Sequence, residues 1–315
     1  MKTISFPLPS SPGNGGAHEP QRQNAVDQNQ IISFGINGII VITMVIVGLD
    51  VTLQEFKKLL REPKPVLTGL LTLTLFVPIS IAFVQLTDLP GYLDAGILLL
   101  AICPTGSIAN LYTSVARANL ALAITLAIAT GLLAFITMPL WLQFYGLILE
   151  DSFDFQIPAS MLLVRLFFVL ALPIAAGMWV RSQFPEFERR FHRLLKRIAL
   201  ACVATLGGYI IFSDRQGFTS GLGPTIISAL VLTLTGMAAG YIVSRLFGLN
   251  QRDSITLLLI SPVKNFGVAI AIAVSILQQT EFALFATTMF MAQLPILLGA
   301  GLILRRLSPS DSAQH

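Results

Sequence analysis

Between Ile31 and Leu304 the chain is a series of nine apolar runs joined by short polar connections, at about 31–51, 65–86, 94–115, 120–147, 159–180, 198–212, 222–244, 254–276 and 282–304. A helix needs about 20 apolar residues to cross a hydrocarbon core about 30 Å thick. All the runs but the sixth reach that length, and the sixth carries Gly207-Gly208. Such long runs without alternation do not suit the strands of a membrane barrel. The expected fold class is therefore an all-α polytopic membrane protein with nine transmembrane helices. Composition agrees, because charged residues are only 11% of the chain and hydrophobic residues 54%. A soluble domain of ordinary makeup carries about 25% charge. Soluble enzymes, nucleic-acid binders and disordered chains are excluded on that ground, and the partners expected are the lipid bilayer and a small molecule.

The few charges report topology. With the N-terminus outside, the inside loops hold Lys57, Lys58, Arg61, Lys64, Arg117, Arg181, Arg189, Arg190, Arg193, Lys196, Arg197, Arg245, Arg252, Arg305 and Arg306. The outside loops hold Arg215 alone, with Asp88, Asp94, Glu150, Asp151, Asp154, Asp214 and Glu281. Basic loops stay cytoplasmic, so the N-terminus is expected outside and the C-terminus in the cytoplasm. Residues 1–30 are polar and rich in Pro, Gly, Gln and Asn, and read as a disordered tail. Residues 31–306 form the membrane domain, and 307–315 a short polar tail. Glu55–Arg61 and Phe184–Arg197 mix apolar and basic residues and read as interfacial helices. Cys103 and Cys202 lie in apolar runs, and His18, His192 and His315 are scattered outside them. Neither a disulfide framework nor a metal constellation follows. No cofactor, nucleic acid or protein partner is expected.

Two runs are interrupted in the same way. The third contains Cys103-Pro104-Thr105-Gly106-Ser107-Ile108-Ala109-Asn110, and the eighth Ser261-Pro262-Val263-Lys264-Asn265-Phe266-Gly267. Pro104 and Pro262 each remove a backbone donor; Gly106 and Gly267 add freedom. Unwound backbone at membrane depth survives only where it is buried or lines a cavity. Paired interruptions in corresponding places point to a transporter's binding site. Their odd spacing, five runs apart, suits an inverted repeat. The bland alternative is two unrelated proline kinks. Lys264 adds weight to the functional reading, because a lysine at the centre of a span costs at least about 2.5–3.5 kcal/mol. Its expected partner is an ion or an anionic substrate. Arg165 lies nearer a surface, where snorkelling accounts for it.

At these interruptions the sequence resembles the bile acid:sodium symporter family. Gly48-Leu49-Asp50-Val51 with the basic Phe56-Lys57-Lys58 loop is similar to the family's "GLTL" turn and lysine-rich segment. Cys103–Asn110 resembles its "CPGGTASN" stretch, Ala116-Arg117-Ala118-Asn119-Leu120-Ala121-Leu122 its "A-[KR]-G-[ND]-x-A-L", and Lys264-Asn265-Phe266-Gly267-Val268-Ala269 its "QNSGLA". The resemblance implies an inverted-repeat fold of nine or ten helices, here nine with the family's first helix missing. It also implies a panel domain beside a core in which the broken helices cross, and transport of organic anions by alternating access.

The resemblance also marks departures. Sodium-ligand positions of the family are matched by Leu73, Ala109, Ala123, Ala127 and Ile260, while Asn110 remains. Hard cations need oxygen ligands, which these side chains lack, so no sodium site is expected. The family's glutamine is matched by Lys264, whose ammonium is expected to take the cation's electrostatic role. Thr105, Gly106, Ser107, Asn110, Lys264 and Asn265 are the expected substrate and ion site, with Pro104, Pro262 and Gly267 shaping the breaks. The amides of Asn110 and Asn265 are expected to hold unwound backbone, and Thr105 and Ser107 to offer hydroxyls. The function expected is a sodium-independent organic-anion transporter and not an enzyme, since no catalytic set lies at membrane depth. A non-transporting anion sensor and an anion channel stand as alternatives.

Overall fold

The computed structural model describes residues 63–148, 167–184, 215–277 and 281–306, with Val164, Gln279 and single positions within 38–49 and 186–208. The two tails, Arg165, Cys202 and the stretches 50–62 and 149–163 lie outside the described residues. Within them the chain is helical. The helices are α1 (Pro63–Leu86), α2 (Gly91–Ile102), α3 (Ile108–Val115), α4 (Leu120–Ile148), α5 (Leu172–Gln183), α6 (Arg215–Leu246), α7 (Gln251–Ile260), α8 (Phe266–Ala271) and α9 (Phe282–Leu304). Five-residue π-helical turns lead into α5 at Phe167–Ala171 and out of α8 at Ile272–Ile276.

Four helices are long and apolar enough to cross a membrane: Pro63–Leu86, Leu120–Tyr145, Gly223–Leu246 and Phe282–Leu304. At about 1.5 Å per residue, 23 residues or more exceed the hydrocarbon thickness. Each tolerates an internal proline, Pro78, Pro139, Pro224 or Pro295. Their buried hydroxyls bond the carbonyl one turn back, as in Thr72 to Thr68, Ser80 to Phe76 and Ser228 to Pro224. That is how a polar side chain avoids an unmet hydrogen bond in hydrocarbon. Leu67, Ile227 and Ile303 point outward and are more than half exposed. In water such faces would aggregate; in lipid they are at home.

The third and eighth apolar runs are each split in two. Cys103 ends α2 in extended geometry, φ −65° and ψ 150°, because the residue before a proline is pushed out of the helical region. Helix resumes at Ile108. In the second run α7 stops at Ile260 and α8 begins at Phe266. The apolar core divides at the same level. One cluster joins α2 and α8 through Leu98, Ile270 and Phe285 of α9, and the other joins α3 and α7 through Tyr112, Leu257 and Leu126 of α4. Each broken run thus has one half in each cluster. Helices α1, α4 and α9 pack against both runs, and α6 packs against α7. Gly240 lets α6 approach α7, where an added Cβ would overlap the Leu257 carbonyl and the Ser261 hydroxyl.

The start of α7 is tied to the turn after α3. Arg117 takes φ +53° to close that turn. Asn119 then donates its backbone N–H to Thr256 Oγ1 at 2.9 Å and its side-chain amide to Asp253 Oδ1 at 2.7 Å. The other Asp253 oxygen accepts from Asn250 Nδ2 at 2.8 Å, and Asn250 Oδ1 caps α7. Asp253 is buried, so its carboxylate depends on these amides. Asp253→Ala leaves the Asn119 amide unpaired and is expected to lower stability by about 1–3 kcal/mol. Denaturant unfolding of the detergent-purified protein reads this; an unchanged midpoint would remove the tie.

Candidate substrate and ion site at the helix breaks

The two unwound segments satisfy each other. Thr105 and Lys264 pair as an isolated antiparallel bridge. The Asn265 N–H donates to the Pro104 carbonyl at 2.7 Å. Gly106 makes this approach possible: a Cβ there would lie 2.9 Å from the Lys264 carbonyl and 3.3 Å from Asn265 Cα. That is closer than a side chain tolerates, so glycine is needed for the contact and not for an unusual φ.

Neighbouring helices supply the remaining partners. Thr130 of α4 accepts the Thr105 N–H at 3.1 Å and donates its own hydrogen to the Leu126 carbonyl. Gln293 of α9, itself buried, donates to the Pro262 carbonyl at 3.0 Å. Asn265 Oδ1 accepts the Val268 N–H at 3.2 Å and so starts α8.

Lys264 sits at this junction, only 7% exposed. Its ammonium donates to the Leu73 carbonyl at 3.2 Å and lies 5.0 Å from the centre of the Phe76 ring. Pro78, lacking an N–H, frees the neighbouring Thr74 carbonyl, while the Leu73 carbonyl that meets Lys264 is the one an intact helix gives to Val77. The ring face and the carbonyl dipole both attract a cation. A lysine ammonium has three donors, and no carboxylate contacts it among the described residues. A cavity of about 10 Å³ opens beside it, about enough for one water. Its polar lining is Lys264, Gln293 and Pro262, and its apolar lining includes Leu100, Phe266, Met289 and Phe290. The rings of Phe266 and Phe290 are 4.1 Å apart. Chemically this is a fixed positive charge and an amide set in an apolar, aromatic wall.

Of the residues singled out by sequence, Pro104, Thr105, Gly106, Pro262, Lys264 and Asn265 meet here. Asn110 lies on α3 and its buried Oδ1 makes no hydrogen bond, so it does not hold unwound backbone. The Thr105 hydroxyl is also buried without a partner. Ser107 is exposed and its side chain caps nothing. Gly267, expected to shape the break, lies instead inside α8, two residues after Asn265, which caps that helix. Leu73, Ala109, Ala123 and Ile260 are buried and Ala127 half-buried, all with hydrocarbon side chains. Sequence reasoning missed Thr130 and Gln293. Gln293 carried a signal, an uncharged amide alone in an apolar run. Thr130 carried none, because back-bonded threonines recur throughout these helices.

Membrane-length helices gathered around two broken, mutually bonded runs define a multi-pass membrane protein. The family model described as "Sodium Bile acid symporter family" matches residues 38–219, and the chain belongs to that family. The match takes in the first break and stops short of the second. Over 236 residues the chain is 28% identical to "Probable sodium/metabolite cotransporter BASS1, chloroplastic" of Arabidopsis thaliana, which covers 74% of this chain and 57% of that one. It is 27% identical to human "P3 protein", with 62% and 41% covered. It is 22% identical to "Uncharacterized sodium-dependent transporter YocS" of Bacillus subtilis, with 73% and 71% covered. The chain thus spans little more than half the length of the plant relative.

Gln293→Leu removes the donor from a buried carbonyl and is expected to cost about 1–3 kcal/mol. Thermal unfolding in detergent measures it. A variant as stable as the parent would mean that Gln293 does not hold the second break.

Proposed function

We propose that this protein is a secondary transporter of a small organic anion, working by alternating access without sodium, with Lys264 as the fixed cation of the site. The observation that carries the reading is the buried ammonium at the meeting point of the breaks, held by the Leu73 carbonyl and the Phe76 ring. An isolated buried charge is costly, and a transported anion is the partner that would complete it. As it stands the cavity beside Lys264 and Gln293 holds about one water, so the substrate's carboxylate or sulfonate would enter only when α9 and the second break move apart, with its apolar body against Phe266, Phe290 and Met289.

Sodium independence is supported by the donor set. Ala109, Ala123, Ala127 and Ile260 offer no side-chain oxygen where the family resemblance places ligands. Lys264 would also repel a metal cation. The reading includes the nine-helix inverted repeat, the cytoplasmic placement of the basic loops and a membrane domain over 31–306. Activity as a carrier rather than as an enzyme accords with relatives named as cotransporters.

The test is uptake into liposomes carrying the full chain, with radiolabelled pyruvate, phenylpyruvate and taurocholate as probes. At least one is expected to enter equally in sodium and potassium buffers. Lys264→Gln is expected to lower that uptake at least about tenfold, the equivalent of roughly 1.4 kcal/mol. Uptake that stops without sodium and survives in the variant would sink the proposal. Saturable binding without flux would point instead to a sensor.

A further inference from the structure

We infer that the end of the molecule where α3 meets α9 is a binding site for an anionic phospholipid, with Arg117 and Arg305 holding its phosphate. The site is separate from the helix breaks and does not rest on what the protein transports.

Backbone geometry is the first observation. Arg117 takes φ +53°, a left-handed conformation in which glycine or asparagine is at home and a long side chain is not. After α6 the same conformation falls to a glycine, Gly248 at φ +64°. The arginine is kept against the preference of its backbone, and strain of that kind gathers at functional positions. Convergence is the second. Helix α9 abuts the last turn of α3 at Gly301, where an added Cβ would lie 3.3 Å from both the Tyr112 carbonyl and Val115 Cγ1. Arg117 follows the end of α3, and Arg305 stands one turn beyond Gly301, its N–H on the Gly301 carbonyl. The two arginines therefore leave the two sides of one close helix contact, and Arg306 is next in the chain. All three are exposed, and no carboxylate pairs with them among the described residues. Asp253, tied to this end through Asn119, is buried and committed to the Asn119 and Asn250 amides.

The third observation is the apolar surface below the charges. Leu302 and Ile303 are each more than half exposed and precede Arg305 and Arg306 by three residues, which puts them on the same strips of α9. Helix α9 is long enough to span a membrane, and Arg305 directly follows its last residue. The leucine and isoleucine thus lie at the depth of acyl chains and the arginines at the depth of headgroups. A soluble anion would use the charges alone, whereas a lipid uses the charges and the apolar strip. A planar guanidinium takes two phosphate oxygens at once, and an anionic headgroup brings the net charge that a zwitterionic one lacks.

Thermal unfolding of the full chain in dodecyl maltoside tests this. Phosphatidylglycerol in the micelles is expected to raise the midpoint by about 2 °C or more over the same amount of phosphatidylcholine. Arg117→Gly removes the guanidinium and relieves the backbone. Its midpoint in phosphatidylcholine should equal or exceed the parent's, while at least half of the phosphatidylglycerol rise is lost. A purely structural arginine would not give that pair of results, and a lower midpoint in phosphatidylcholine would overturn the inference. Arg305→Gln should also lose the rise, and Arg245→Gln, in the last turn of α6, should keep it. No rise in the parent, or a rise undiminished in both Arg117→Gly and Arg305→Gln, would overturn it as well. A rise lost equally in Arg245→Gln would mean general attraction to a basic surface, and an equal rise with glycerol 1-phosphate would mean a site for soluble phosphate; either result removes the lipid site.

Discussion

The structure depends on an exchange of hydrogen bonds between two pieces of backbone that no helix can satisfy. In hydrocarbon an unmet amide or carbonyl costs several kcal/mol. Pro104 and Pro262 each create such groups, and each break meets part of the other's need: the Pro104 carbonyl takes the Asn265 N–H, and Thr105 bridges Lys264. What remains is met from outside, by Thr130 and Gln293. Either break alone would be a defect. Together they form a polar point at the level where the two apolar clusters divide, and the Lys264 side chain is held there.

Lys264 uses that place. Its stem lies in the segment between α7 and α8, and its ammonium reaches the Leu73 carbonyl of α1. The contact spans from the broken pair to an unbroken helix, so the charge also acts as a tie. The second tie, through Asn119 and Asp253, lies beyond α3 at the start of α7. Neutral amides surround Asp253, and a carbonyl and a ring surround Lys264; the two buried charges are solvated by different means and do not pair.

Much of this was legible in the amino-acid sequence, and the reasons are physical. Lengths of apolar runs forecast α1, α4, α6 and α9, because the bilayer sets a length. Proline and glycine forecast the breaks, because their effects are local. Lys264 stood out because a charge inside an apolar run is expensive wherever it ends up. The residues that serve the breaks from a distance were not legible. Thr130 lies 25 residues from the N–H it accepts, and Gln293 lies 31 from its carbonyl. Helical periodicity says which face such a residue is on, but not what faces it. Gly267 shows the opposite failure: its composition suggested freedom, yet the cap at Asn265 had already fixed the helix.

The contact between Lys264 and Leu73 joins residues 191 positions apart. Synthesis at about 5–20 residues per second separates their appearance by roughly 10–40 s. The Pro104 carbonyl likewise waits for Asn265, whereas the Thr105 N–H can find Thr130 after 25 residues. In hydrocarbon that carbonyl costs free energy until its partner exists. A truncated chain ending before Lys264 would be left with a polar gap in an apolar wall, which is the kind of signal by which a cell can distinguish an unfinished membrane protein from a complete one.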